Sequence, residues 1–238
     1  MVMATSLQCK RSKGGFTLIE LLTVIAIIAI LMGLLMPALS AAKTSARKGQ
    51  ARSDISGLIA AVHAYYTDNG VYPINATQAS AATTGWDTVY GDPGGSYSSA
   101  DLCNILRATA DSKYNQNNQL NSRQVIYFEG NNAKDQTNPR GGFVTASNGA
   151  KGPTGATIPQ GAYVDPWGNE YVTFINASYS GALNAAVSGA STSLSWFYYP
   201  NTPTVLTTVA GCSLGPDLQW GAAGNHVFVG SDDVASWQ

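Results

Sequence analysis

Residues 21–39 form a run of 19 in which Thr23 is the one polar side chain. At about 1.5 Å per residue such a run makes roughly 28 Å of helix, close to the hydrocarbon thickness of a bilayer. One membrane span is expected, with Gly33 and Pro37 as its weak points. Pro37 lacks an amide proton, so the helical ladder is expected to kink or loosen near the span's exit. From Phe16 to Ala42 the sole charged residue is Glu20, at the start of the run. An acid at membrane depth is costly and calls for a partner. The first 15 residues carry Lys10, Arg11 and Lys13 and no acid, so the positive-inside rule puts the N-terminus in the cytoplasm and sends the rest across.

An ordinary secretory signal places its apolar stretch before a small-residue cleavage site, and the stretch is lost. Here Gly14 and Gly15 precede the apolar run. A cut between Gly15 and Phe16 would remove the basic leader and leave the hydrophobic helix on the mature chain. Cys9 would leave with the leader; it makes no lipoprotein signal, because no apolar segment precedes it.

The series Gly15, Phe16, Thr17, Leu18, Ile19, Glu20, followed by apolar residues to Pro37, resembles the prepilin-type N-terminus shared by type IV pilins and type II secretion pseudopilins. The resemblance implies cleavage after Gly15 by a prepilin peptidase and N-methylation of the new terminal residue, Phe16. It also implies a role for Glu20. Its carboxylate would pair with the Phe16 amine of a neighbouring subunit and set the axial register of a filament. Removing an unpaired charge from hydrocarbon would drive that contact.

Loss of the leader takes away three cations and moves the formal charge from −1 to −4. This mildly acidic balance speaks against nucleic-acid binding, which uses a basic face. With 11% charged residues and many Gly, Ser, Thr, Asn and Ala, the part beyond the span suits one loop-rich domain with a single core. The helix continues into that domain. Ile55, Leu58, Ile59, Val62 and Tyr65 or Tyr66 recur at three- and four-residue steps, while Lys43, Arg47, Lys48 and Arg52 mark a polar stretch. Asp68, Asn69 and Gly70 supply a stop and Pro73 prevents resumption, which predicts a helix of about 50 residues whose second half packs on the domain.

The chain divides into five segments: a leader over 1–15, a transmembrane and assembly helix over 16–39, its extracytoplasmic half over 40–70, a variable loop-rich region over 71–162, and an antiparallel sheet with a C-terminal loop over 163–238. In the variable region, Leu102, Ile105 and Leu106 suggest a short helix over 100–108 capped by Ser99, and Val125, Ile126, Tyr127 and Phe128 suggest a strand. Asp165, Pro166, Trp167, Gly168 and Asn169 read as a turn before a strand over 170–175; further strands fit 194–199 and 205–209. Trp167, Tyr171 and Trp196 are expected to pack between sheet and helix.

The blocks running from Tyr65 to Pro73, from Asp165 to Tyr171, from Ser213 to Asp217 and from Asp232 to Trp237 stand in the order seen in major pseudopilins of type II secretion systems, which the chain resembles over most of its length. That resemblance implies an α+β, type IV pilin-like fold: a long N-terminal helix on a C-terminal antiparallel β-sheet, here with a long loop-rich insertion. It also implies calcium, bound in the C-terminal loop by the carbonyl of Leu214 and the carboxylates of Asp217, Asp232 and Asp233. Hard cations take several oxygen ligands at about 2.3 to 2.6 Å. Residues 218–231 separate these aspartates more widely than in that family and include the β-prone Val227, Phe228 and Val229.

Cys103 and Cys212 are the two thiols left after cleavage. In an oxidising periplasm they could form one disulfide, and two free buried thiols are the other reading. Zinc is not expected, since neither has a His or Cys at ligand spacing. His63 and His226 sit in no nucleophile elbow, metal motif or phosphate loop, so catalysis has no support. The expected function is structural: a subunit of a helical filament, a periplasmic pseudopilus rooted in the inner membrane, with prepilin peptidase, minor pseudopilins, an inner-membrane assembly platform and membrane lipid as partners. A surface type IV pilin and a membrane-anchored periplasmic binding module that never polymerises are the alternatives.

Overall fold

The computed structural model describes residues 15, 17–111, 113–146, 148–153, 155–183, 187–188, 207–217, 219–221 and 231–237. These fall into two compact units, one ending at Ser45 and one beginning at Ala46. Helix α1, Leu18–Asn69, has residues in both and continues past Pro37. In the first unit every residue of α1 is exposed, including 15 large apolar side chains from Leu18 to Leu39. The segment is long and apolar enough to cross a membrane. Gly70 ends the helix at φ +72°, and its N–H donates to the Tyr66 carbonyl at 2.8 Å, so the predicted stop works as a left-handed C-terminal residue.

In the second unit α1 buries Ile55, Leu58, Val62 and Tyr65 from the predicted stripe together with Ala51 and Ala61, while Ile59 and Tyr66 are partly buried beside them. Two short helices come next, α2 (Ala76–Ala82) and α3 (Ser99–Leu106), each opened by a capping box. In α2 the box is Asn75 with Gln78. In α3 it is Ser98 with Asp101, so the predicted helix is present but Ser98, not Ser99, is its cap. The reason lies in the pairing: only Ser98 has an acid three residues later to return the hydrogen bond to its own N–H.

The strands are β1 (Asp87–Tyr90), β2 (Gly142–Phe143), β3 (Ala150–Lys151), β4 (Thr157–Ile158), β5 (Tyr163–Val164), β6 (Val172–Ile175), β7 (Val187–Ser188), β8 (Val209–Ser213) and β9 (Val234–Ala235). The main sheet has five strands in the order β7-β1-β6-β8-β9, and two-stranded pairs β2-β5 and β3-β4 stand apart. All main-sheet pairings are antiparallel except β1 with β7. Alternation along the strands divides two apolar clusters. Tyr90, Tyr171, Ile175, Val209 and Val234 join α1 and α3 in the larger one. Val89, Val172, Phe174, Ala210, Cys212 and Ala235 form the other, with Trp220 and Trp237 against it. Gly211 sits where β8 meets α1, since a Cβ there would lie 2.9 Å from Ile55 Cγ2.

Three expectations change. Val125, Ile126, Tyr127 and Phe128 are not a strand: Tyr127 and Phe128 N–H both donate to the Leu106 carbonyl, and Val125 N–H donates to Asn121 Oδ1, so their backbone groups are taken up by α3's end and a loop asparagine. The strand placed at 170–175 begins at Val172, with Glu170 in an isolated bridge to Val164. The strand placed at 205–209 is β8, which starts at Val209; residues 205–206 lie outside the described residues, as do 194–199, Trp196 and 227–229.

Candidate metal centre and assembly terminus

Glu20 heads α1, where Thr17 and Glu20 form a reciprocal pair. Thr17 N–H and Oγ–H donate to Glu20 Oε2 at 2.8 and 2.6 Å, and Glu20 N–H donates back to Thr17 Oγ1 at 3.3 Å. This is the Thr-x-x-Glu capping box, which satisfies orphan donors at a helix start. Sequence reasoning read the charge of Glu20 and missed its spacing from Thr17, although that spacing was the signal. Within its own chain, then, Glu20 caps the exposed first part of α1. Gly15 is exposed, and Phe16 and residues 1–14 of the leader lie outside the described residues.

At the other end of the chain, β8 and β9 pair antiparallel with Cys212 opposite Ala235 and Ser213 opposite Val234. That register closes a loop whose two ends must meet: residues after Ser213 lie beside those before Val234. Asp217, Asp232 and Asp233 are thereby brought together, with one carboxylate oxygen of each within 4.8 Å of the others. Asp217 is exposed, Asp232 half-buried and Asp233 buried. Leu214, whose carbonyl completes the predicted set, is the first residue after β8 and its side chain is buried.

The loop is held by backbone donors. Asp217 N–H donates to Asp232 Oδ2 at 3.1 Å, Gln219 N–H to Asp217 Oδ1 at 2.9 Å, and Gly221 N–H to Asp233 Oδ2 at 2.7 Å. Gly215 adopts φ +66°, and a Cβ there would sit 2.6 Å from the Asp232 carbonyl oxygen, so strain and close approach both demand glycine. Asp233 Oδ1 is buried and accepts no hydrogen bond. Burial pushes its carboxyl up to about 7; the Gly221 N–H opposes this, and repulsion from Asp232 and Asp217 adds to it. Among the described residues the one ion pair is Lys113 with Asp101, so no lysine or arginine among them neutralises the three acids. An oxygen-only donor set with an orphaned buried carboxylate oxygen fits a hard divalent cation.

Beside this loop stands the turn formed by Asp165, Pro166, Trp167, Gly168 and Asn169. Asp165 Oδ1 accepts N–H bonds from Trp167, Gly168 and Asn169 at 2.9, 2.7 and 2.9 Å, and Oδ2 accepts the Ser213 hydroxyl at 2.6 Å. Burial raises its carboxyl to about 6 against the pull of those four donors. Arg140 donates to the Trp167 carbonyl from outside the turn. Trp167 and Tyr171 pack in the core beside α1, and the Tyr171 hydroxyl donates to Asp54 Oδ2 on α1 at 2.8 Å.

Of the two readings of the thiols, the structure has the unpaired one. Cys103 and Cys212 are both free and buried. Cys103 lies in the cluster under α1, and Cys212, one position from the helix-facing Gly211, points to the opposite cluster. The sheet separates them. Burial pushes the Cys103 thiol up to about 12 and raises the Cys212 thiol well above its ordinary value, so neither is poised as a nucleophile. His63 lines a groove with Arg52, Ile59, Ala235 and Ser236, and His226 lies outside the described residues.

The prokaryotic N-terminal methylation motif matches residues 10–36. Fimbrial protein EcpC of Eikenella corrodens is 40% identical over 75 residues, covering 32% of this chain and 49% of that protein. Type II secretion system core protein G of Pseudomonas aeruginosa is 38% identical over 64 residues, and that of Aeromonas hydrophila 44% over 64; each match covers 27% of this chain and 45% of the relative. The chain thus spans about half the length of the curated relatives it matches. No solved structure matches. The chain thus carries the prokaryotic N-terminal methylation motif and, over part of its length, is similar to type II secretion system core protein G and to fimbrial protein EcpC.

Proposed function

We propose that the chain is the structural subunit of a periplasmic pseudopilus that drives type II protein secretion. The observation that carries this reading is the methylation motif over residues 10–36 at the capped head of a helix whose residues from Leu18 to Ser45 are all exposed, most of them apolar. A helix of that kind is stable in two settings, a bilayer and a bundle of its own copies. Cleavage after Gly15 frees the Phe16 amine, and Glu20 of a neighbouring copy pairs with it as subunits leave the membrane. The chain works mechanically, without catalysis, and with assembly energy supplied by a cytoplasmic ATPase. Its N-terminus faces the cytoplasm before cleavage and its second unit faces the periplasm. Prepilin peptidase, minor pseudopilins, the inner-membrane assembly platform and membrane lipid are its partners.

Fimbrial proteins are among the relatives, and a surface type IV pilus is therefore the second reading. The Asp165 turn and the carboxylate loop, which resemble those of secretion pseudopilins, favour the first. In the second unit we assign calcium to the Leu214 carbonyl and the carboxylates of Asp217, Asp232 and Asp233, supported by their convergence and by the orphaned Asp233 Oδ1. Calcium there neutralises three like charges and locks the loop between β8 and β9.

Deleting the gene from its native bacterium separates the readings. Exoproteins retained in the periplasm, with surface pili intact, are expected. Lost surface pili with normal secretion would establish the fimbrial reading instead, and loss of neither would point to an anchored module.

A further inference from the structure

Ser213 is the last residue of β8. The strand itself is held by backbone pairing to β6 on one side and β9 on the other, so its register does not depend on the Ser213 side chain. The hydroxyl acts instead on the loop leaving the strand. Buried in the interior, it donates to Asp165 Oδ2 at 2.6 Å and accepts the Gly215 N–H at 3.3 Å. Gly215 lies against the Asp232 carbonyl, and Asp217 N–H reaches Asp232 Oδ2. A continuous series of contacts thus runs from the Asp165 turn through Ser213 and Gly215 to two of the three converging carboxylates.

Asp165 is itself an acid close to this loop, yet four donors already engage it: three backbone N–H groups on Oδ1 and the Ser213 hydroxyl on Oδ2. It anchors the loop and is not a ligand. We propose that Ser213 and Asp165 are positioning residues for the divalent-cation site, fixing the exit of β8 so that the Leu214 carbonyl and Asp217 are presented to Asp232 and Asp233 before the cation arrives. The inference rests on the assignment of calcium to this loop. Groups behind a metal's direct ligands set ligand orientation, and their loss lowers metal affinity about 10- to 100-fold.

The test is calcium titration by calorimetry on the full chain in detergent micelles, with the unfolding midpoint of each protein measured separately in excess chelator. Ser213→Ala is expected to weaken calcium affinity on the order of tenfold at a temperature where the variant is folded in chelator. Ser213→Thr, which keeps the hydroxyl, is expected to restore most of it. A purely structural role would lower the chelator midpoint and leave the affinity of the folded protein unchanged; that result overturns the proposal. Should Ser213→Ala fail to fold, Asp165→Asn serves, since it keeps the turn's acceptor and replaces the oxygen that takes the Ser213 proton. Wild-type affinity in folded Asp165→Asn likewise overturns the proposal. Wild type that binds no calcium overturns the metal reading, and this inference with it, whereas wild type that binds beside an unaffected variant overturns this inference alone.

Discussion

Glu20 has two jobs that one substitution can separate. In its own chain it caps α1 through Thr17, and in the proposed filament its charge meets an amine. Glu20→Gln keeps an acceptor for the cap and removes the charge, so filament yield should collapse while membrane insertion persists. Thr17→Ala should do the reverse, costing about 1 kcal/mol of helix stability and leaving most assembly intact; sedimentation of sheared filaments beside membrane fractionation reads both. Asp165 gives a second residue-scale test. Burial raises its native carboxyl to about 6, above the roughly 3.9 of an unfolded aspartate, so the native state holds this proton more tightly than the unfolded chain. Its contribution is fully present below about pH 4 and is lost as pH rises to about 6, on the order of 3 kcal/mol. Denaturant titrations across that window should show the decline in wild type with chelator present, and a flatter profile in Asp165→Asn. The charge of Glu20 and the turn at Asp165 were both legible in sequence. Their bonding to Thr17 and Ser213 was not, the first because the Thr-x-x-Glu spacing was passed over, the second because Ser213 is 48 residues away.

Between elements, the contact that matters most is α1 on the sheet. Gly211 lets β8 approach Ile55 closely, so Gly211→Val should destabilise the second unit by about 1–3 kcal/mol through overpacking, measured as a lower urea midpoint with an unchanged slope. The helix was the most legible element: its period named Ile55, Leu58, Ile59, Val62 and one of Tyr65 and Tyr66, and Gly70 ended it. The sheet was less so. β1 is an interior strand, paired to β6 and β7, yet Asp87, Thr88, Val89 and Tyr90 lie in a region that reads as loops, because the five residues between Gly85 and Gly91 carry too little periodicity to stand out. Val125, Ile126, Tyr127 and Phe128 err the other way. Strand propensity reports fit to a half-buried pleated surface, and here Val125 and Ile126 are exposed beside a loop. The thiols teach the same lesson: only the alternation of β8 reveals that Cys212 faces away from Cys103.

For the molecule as a whole, the N-terminal motif and the C-terminal loop are parts of one proposed assembly device. The aspartates were legible as a family likeness, while their convergence across residues 218–231 depends on the pairing of β8 with β9, a long-range fact no local pattern carries. Calcium at about 100 times its dissociation constant should stabilise the fold by about 2.7 kcal/mol, so chelation should lower the thermal midpoint. Asp233→Asn should abolish that response without adding to the effect of chelator. The filament reading depends on processing more than on the metal. Intact-mass analysis of the protein isolated from its native membrane tests it most directly: a chain beginning at Phe16 and carrying one added methyl group is expected, and a mature chain that still begins at Met1 would contradict the filament reading.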